Sequence, residues 1–428
     1  MRNILRVAVQ VLGQVLDEGR SLDGVLGAVW REQAGLTPHE RAVIQDVSYG
    51  VLRQLTRLDA MIDALLTKPL TEPVLRQLLR IALYQLGYTR TAPHAVVDHA
   101  VEMCAALGVP RAKGLVNAVL RNFQRRRDAV LAAADASETG RYAHPQWWID
   151  RVRAQYPDRW QAVLDADNQH APMTLRVNCR VMTRAAYLAE LEAAGMPGRA
   201  LDEDAIVLTA AAPVDRLPRF REGAVSVQDA SAQRAARYLD PAPGARVLDA
   251  CSAPGGKAAH LLERAALDLT AIDRNVQRLD RIRENLGRLS LAANVIAGDA
   301  AVPAGWWDGV PYDAILADVP CSSSGVVRRH PDIKWLRRPD DIPRYARRQA
   351  AILDALWQTL RRGGKLLYAT CSVFQEENAL QIARFLERHH DARHLPLPGD
   401  TDPRREPAGQ ILPDADHDGF FYALLQKL

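Results

Sequence analysis

Residues 246–257 read RVLDACSAPGGK. An apolar run through Val247 and Leu248 ends on Asp249, small residues lead to Gly255 and Gly256, and an amphipathic stretch begins at Lys257. The reading is a strand, a tight turn and a helix start. Consecutive glycines let the backbone turn sharply and approach a ligand, while the helix start offers free N–H groups. It is not a phosphate-cradling loop, which needs glycine where Cys251 stands and Ser or Thr in place of Ala258. Nor is it GxGxxG. A non-phosphorylated nucleoside remains open as the ligand.

Outward from this stretch the same alternation continues. Short apolar strands are expected at 246–249, 269–272, 295–297, 314–316 and 365–369, with helices at 257–266, 276–289, 344–361 and 377–389. A last strand, antiparallel, is expected at 419–426. Residues 224–428 therefore read as an α/β domain with a mainly parallel sheet covered on both faces. In such sheets ligands bind beyond the carboxyl ends of the strands. There the chain places Asp273, suited to a ribose diol, then Asp299, suited to an adenine-side contact, and Asp318. Cys321 follows Asp318 in ADVPCSSSG (317–325), and Cys371 lies in ATCS (369–372). A lone cysteine near a strand is ordinarily a small buried hydrophobe. Two at neighbouring strand ends, one beside Asp318, point to reactive thiols.

Residues 140–223 change character: helical stretches near Trp148, a strand in PMTLRVN, a helix at 184–194 and a strand near Ile206 give a small α+β linking subdomain. Trp147 and Trp148 read as packing. Residues 1–130 read as helices throughout, with apolar stripes at 4–16, 38–54, 55–66, 94–107 and 114–123 and another through Val74, Leu75, Leu78, Leu79, Ala82, Leu83 and Leu86. Breaks fall at Thr37-Pro38, Glu72-Pro73 and Ala92-Pro93.

The whole chain has 428 residues, enough for about three domains. Its net charge is only +4, carried by 49 Arg against 6 Lys, which neither establishes nor excludes a nucleic-acid partner. Two stretches are locally basic: residues 111–127 hold six basic residues and no acid, and 328–348 hold eight against three. Either surface can release counterions from a polyanion, and the second, which follows the Cys321 loop directly, is expected to border the binding cleft. Five dispersed cysteines exclude a disulfide scaffold and a CxxC-type zinc site, so no metal is expected. The N-terminus reads as an amphipathic helix rather than a signal peptide, and no apolar run is long enough to span a membrane. A reducing cytoplasm is the expected setting. The acidic, proline-containing stretch 395–418 is expected to be a surface loop.

LDACSAPGGK (248–257), AID (271–273), AGD (297–299), ADVPCSSSG and ATCS together resemble the ordered motif set of the S-adenosylmethionine-dependent RNA cytosine-C5 methyltransferases. LRVN (175–178), SVQDASAQ (226–233) and RRHPDIKW (328–335) extend the match. VLRQLLRIALYQLGY (74–88), PHAVVDHAVEM (93–103) and LVNAVLRNF (115–123) resemble the NusB-type RNA-binding domain. Ser252, Ala258 and Ser323 stand where the family commonly has Ala, Thr and Gly.

The resemblance implies a Rossmann-like catalytic domain behind a NusB-like bundle, and 5-methylcytosine formation in small-subunit ribosomal RNA by a monomer. Transfer RNA or large-subunit ribosomal RNA as substrate, and a non-catalytic assembly factor, are the alternatives. It assigns to Cys371 a covalent attack on C6, which turns C5 into a nucleophile. Asp318 supports charge at N3, as an acid of raised pKa or by a hydrogen bond. Lys257 orients the base or lowers a thiol pKa. Cys321 serves release. DNA cytosine methyltransferases use a Pro-Cys cysteine as nucleophile, so spacing alone leaves the two roles open. For the cofactor, Cys251, Ser252, Ala253, Pro254, Gly255, Gly256 and Lys257 wrap the methionine part, Asp273 the ribose and Asp299 the adenine, with Asp318 alongside. The target base must be unstacked, which favours unpaired RNA.

Overall fold

Apolar residues at three- and four-residue spacing bury one face of each N-terminal helix. The computed structural model describes residues 2–398 and 409–428. It divides into two compact units, residues 1–170 with 327–339, and residues 171–326 with 340–428. The expected loop at 395–418 falls partly on 399–408, outside the described residues.

The first unit is all-helical. Its core is built by Arg2–Leu16, Leu22–Glu32, Pro38–Arg53, Leu55–Leu65, Pro73–Tyr88, Pro93–Ala106 and Lys113–Arg125. The stripe Leu75, Leu78, Leu79, Ala82, Leu83 and Leu86 is buried, and Val74 packs at its edge. The break at Thr37-Pro38 is a capping box: Thr37 Oγ1 accepts from Glu40 N while Glu40 accepts from Thr37 N. Helices Gln146–Gln155 and Trp160–Asp167 pack in this unit, whose first stretch ends at His170. Trp148 is fully buried, edge-on to Trp147.

The inserted segment 327–339 corrects one expectation. Two of the eight basic residues at 328–348, Arg328 and Lys334, face the interior of the helical unit rather than a cleft. Lys334 Nζ donates to the carbonyls of Arg53 and Ala143 at 2.9 and 2.7 Å and to Asn168 Oδ1 at 2.9 Å. Arg53 donates to the Arg328 carbonyl at 3.0 Å, and Trp335 Nε1 to the Leu52 carbonyl at 2.7 Å. Asp332 caps helix Leu22–Glu32 by accepting from Leu22 N at 3.0 Å. By contrast, all six basic residues at 111–127 are exposed, because Val116, Val119, Leu120 and Phe123 turn the opposite face of their helix inward.

The second unit holds two sheets. The smaller is antiparallel, with order β2-β3-β1-β4: β1 Thr174–Val177, β2 Gly198–Ala200, β3 Ala205–Leu208 and β4 Val225–Val227. The larger contains β5 Arg246–Ala250, β6 Asp268–Asp273, β7 Asn294–Ala297, β8 Tyr312–Asp318, β9 Leu360–Thr370, β10 Ala392–Leu395, β11 Gln410–Ile411 and β12 Phe420–Lys427. Its order is β10-β12-β9-β8-β5-β6-β7, with β11 on β12. β5 to β9 run parallel, and β12 is antiparallel to β9. Val247, Leu316 and Leu367 pack under helices on one face, while Leu248, Ile315 and Leu366 pack under Asp341–Thr359 and Ala379–Arg388 on the other. This is the doubly covered Rossmann-like sheet expected. Among the boundaries that differ, β9 begins at Leu360, with a register irregularity against β8, and Glu377 lies in a short 3₁₀ turn before the helix Ala379–Arg388.

Arg176 on β1 is wholly buried. It pairs with Glu263 through two bonds of 2.9 and 2.7 Å and donates to the Gly256 carbonyl at 2.7 Å, tying the small sheet to helix Gly256–Arg264. A fully bonded buried pair of this kind specifies position, and breaking it strands a buried charge.

Lys334→Met leaves the Arg53 and Ala143 carbonyls without their donor, at about 1–3 kcal/mol each. Calorimetry should show a lower melting temperature for the helical unit. An unchanged one would mean that apolar packing alone seats segment 327–339.

Candidate active site

The turn after β5 is built to bend back on the sheet. Cys251 has φ +61° and Gly255 φ +92°, and a Cβ at Gly255 would lie 3.1 Å from Ile282 Cγ2. Ser252 Oγ donates to Asp249 at 2.6 Å. Asp273, buried at the end of β6, accepts from Ala253 N at 3.2 Å and from Asn275 N at 2.9 Å. Arg278 closes the loop by donating to the Ala253 carbonyl at 2.6 Å. Beyond β7, Asp299 accepts from Ala301 N, and Arg348 Nη2 lies 2.5 and 2.6 Å from its two oxygens. That guanidinium holds the Asp299 carboxyl below the usual range. Burial, reinforced by Asp318, Asp273, Asp249 and Asp299, pushes the Cys251 thiol up to about 12. Cys251 therefore stays a thiol.

The parallel register of β8 and β9 pairs Asp318 with Ala369, so the chain leaves both strands at the same edge. Three residues beyond Asp318 and two beyond Ala369, the Cys321 and Cys371 sulfurs lie 3.4 Å apart. Lys257 Nζ reaches Asp318 at 2.7 Å. Burial opposes the Lys257 charge, but Asp318 outweighs it and raises the ammonium. Asp318 thus sits in an ion pair, not in an isolated apolar pocket. The two thiols differ. The hydrogen bond shared with Cys321, helped by Ser323 and Lys257 and opposed by burial and Asp318, lowers Cys371 below the usual thiol range; the same bond and burial raise Cys321. Cys371 is half-buried and Cys321 buried.

The two cysteine loops are bound to each other. Gly325 N donates to the Cys371 carbonyl at 2.9 Å, and Gly419 N to the Gly325 carbonyl at 2.8 Å. A Cβ on Gly325 would fall 2.0 Å from the Gly419 carbonyl oxygen, so only glycine fits. Below the thiols lies Glu377. Its carboxylate accepts from Ser322 N at 2.8 Å, Ser322 Oγ at 2.5 Å, Ser372 Oγ at 2.6 Å and Gln349 Nε2 at 3.0 Å. Burial pushes the Glu377 carboxyl up while these donors hold it down.

Of the residues singled out in the sequence, the loop 251–257, Asp273, Asp299, Asp318, Cys321 and Cys371 all come to one edge of the sheet. Cys104 is buried in the helical unit, and Cys179 is exposed after β1. Arg348, Glu377, Ser322 and Ser372 went unread. The serines flanking both cysteines were the available signal.

Three family models match the chain: the NusB family over residues 2–125, the ferredoxin-like domain of RsmF/B-like methyltransferases over 144–215, and 16S rRNA methyltransferase RsmB/F over 236–426. The ribosomal RNA small subunit methyltransferase B of Vibrio cholerae serotype O1 is 49% identical, over 99% of this chain and 98% of its own. The protein of that name from Escherichia coli O7:K1 is 46% identical over 100% and 99%. The solved structure of a methyltransferase homolog from Pyrococcus horikoshii superposes with a TM-score of 0.58 at 28% identity, covering 68% of this chain and 97% of that one. With motifs, sheet order and full-length identity in agreement, the chain belongs to the ribosomal RNA small subunit methyltransferase B family.

Proposed function

We propose that the protein methylates C5 of a cytosine in small-subunit ribosomal RNA, using S-adenosylmethionine and a transient Cys371 adduct. The observation that carries this reading is the thiol pair: two sulfurs 3.4 Å apart, unequal in acidity, beside the Lys257–Asp318 ion pair. The names of the relatives supply the substrate class.

The crevice fits S-adenosylmethionine. Acids stand at successive strand ends, where a sheet of this kind holds a nucleoside, and the carboxyl groups of Asp273, Asp299 and Asp318 all act on the loop residue Cys251, so a sulfonium cation would be favoured there. Cys251, Ser252, Ala253, Pro254, Gly255 and Gly256 would wrap the methionine part, Asp273 the ribose and Asp299 the adenine side, with Arg348 orienting the Asp299 carboxylate. When bound, the cofactor supplies an electrophilic methyl group.

Cys371, the more acidic thiol, adds its sulfur to C6; the ring electrons move toward N3 and C5 becomes the nucleophile. Lys257 and Asp318, bonded to each other at 2.7 Å, would meet the charge at N3, by a proton or a hydrogen bond. After C5 takes the methyl group, its proton must go to a base while the C6–sulfur bond breaks and Cys371 leaves as thiolate. Cys321, which touches Cys371, would serve that release. A ribosomal RNA substrate implies a cytoplasmic site of action. The exposed basic face at 111–127 is the RNA-contacting surface of the helical region, read as residues 1–130, with 140–223 linking it to the catalytic domain at 224–428.

Incubated with substrate RNA and cofactor, Cys371→Ala should give no covalent RNA adduct on denaturing gels and Cys321→Ala should accumulate one; the opposite pattern would exchange the roles. Asp273→Ala and Asp299→Ala should each weaken S-adenosylmethionine binding by calorimetry, and unchanged affinity would remove that residue from the cofactor site. Replacing Arg121, Arg125 and Arg126 by alanine should weaken RNA binding and lower its salt slope by about one unit per lost phosphate contact, with cofactor binding intact. An unaltered salt slope would take RNA off that face.

A further inference from the structure

The carboxylate of Glu377 touches both cysteine loops at the residue next to each thiol. Ser322, which follows Cys321, gives it a backbone N–H and a hydroxyl; Ser372, which follows Cys371, gives it a hydroxyl on the same oxygen, Oε2. The other oxygen also takes Gln349 Nε2, which donates in addition to the Pro320 carbonyl at 3.0 Å on the other side of Cys321. Ser324 Oγ fills the remaining corner, 3.1 Å from Ser322 Oγ and 2.9 Å from Ser372 Oγ. Glu377 is itself wholly buried, and its own carbonyl accepts from Tyr368 on β9 at 2.7 Å. A short 3₁₀ turn instead of a helix sets it there.

Every group facing this carboxylate donates. An isosteric amide would turn two N–H groups toward donors and force part of the network to reverse or separate. Glu377 has no place in the chemistry described above. It is one residue removed from each sulfur and rigidly bonded to both loops.

We propose that Glu377 is a positioning residue: by holding the neighbours of Cys321 and Cys371 on one carboxylate, it sets the distance between the two sulfurs and so the release of the methylated RNA. The proposal rests on the division of attack and release between these cysteines. Its physical content is separate: the two sulfurs lie 3.4 Å apart, so a thiolate at Cys371 can accept from the Cys321 S–H, with Lys257 and Asp318 as the charged groups that also act on it. Letting the loops drift apart removes that donor.

Glu377→Gln tests this in the full-length protein, with Ser372→Ala as a milder variant that deletes one hydroxyl and leaves the carboxylate in place. The first readout is iodoacetamide alkylation of Cys371 against pH, followed by peptide mass spectrometry without RNA. Loss of the Cys321 donor should move the inflection upward by about one pH unit in Glu377→Gln, with a smaller shift in the same direction in Ser372→Ala. The second is turnover: kcat should fall while S-adenosylmethionine affinity holds, and covalent RNA should accumulate as in Cys321→Ala. A folded Glu377→Gln protein with wild-type alkylation and no accumulated adduct would overturn the proposal. Should that variant fail to fold, the same wild-type behaviour in Ser372→Ala would overturn it. Adduct formation by Cys371→Ala would instead overturn the assignment of the nucleophile, leaving the alkylation profile as a valid measure of Glu377.

Discussion

The parallel pairing of β8 with β9 is the constraint on which the site depends. Because Asp318 lies opposite Ala369, the two strands end level, and the chain departs from both at the same edge. Everything chemical follows from that register. A slip of one residue would turn each side chain to the other face of a sheet whose two faces bury different layers. The Gly325–Gly419 contact then presses the first cysteine loop against the chain leading into β12, and Glu377 binds both cysteine loops from beneath. The sulfurs end 3.4 Å apart between one backbone register and one buried carboxylate.

Charge is sorted along the molecule in a way that the total of +4 conceals. In the catalytic unit, four acids act on the Cys251 thiol, of which Asp273, Asp299 and Asp318 are paired with Arg278, Arg348 and Lys257. In the helical unit, the helix Lys113–Arg125 and its flanks carry exposed basic residues over an apolar buried face. A polyanion responds to such local distribution, not to the sum. Arg348 belongs to neither surface in this sense: its charge is spent on Asp299.

Strand ends were legible in the sequence because their signals are local. Asp273, Asp299, Asp318 and both cysteines each follow a short apolar run, and the sheet rule places such residues together. What escaped was held by partners far along the chain. Helix Leu22–Glu32 is capped by Asp332, 310 residues away in sequence, while its N-cap residue Ser21 makes no side-chain cap bond. Lys334 and Arg328 read as surface cations, since burying a lysine requires acceptors from Arg53, Ala143 and Asn168 that no spacing reveals. Glu377 read as the first residue of a helix. Its role in the site follows only from seeing that Ser322 and Ser372 converge on it.

The most direct test of the account is the chemical identity of the product. Small-subunit ribosomal RNA lacking the modification, incubated with the protein and isotopically labelled S-adenosylmethionine, can be digested to nucleosides and resolved by mass spectrometry. The account predicts the label in 5-methylcytosine and none in the matched reaction with Cys371→Ala. Label on the exocyclic nitrogen of cytosine, on another base, or retained in full by Cys371→Ala would contradict it.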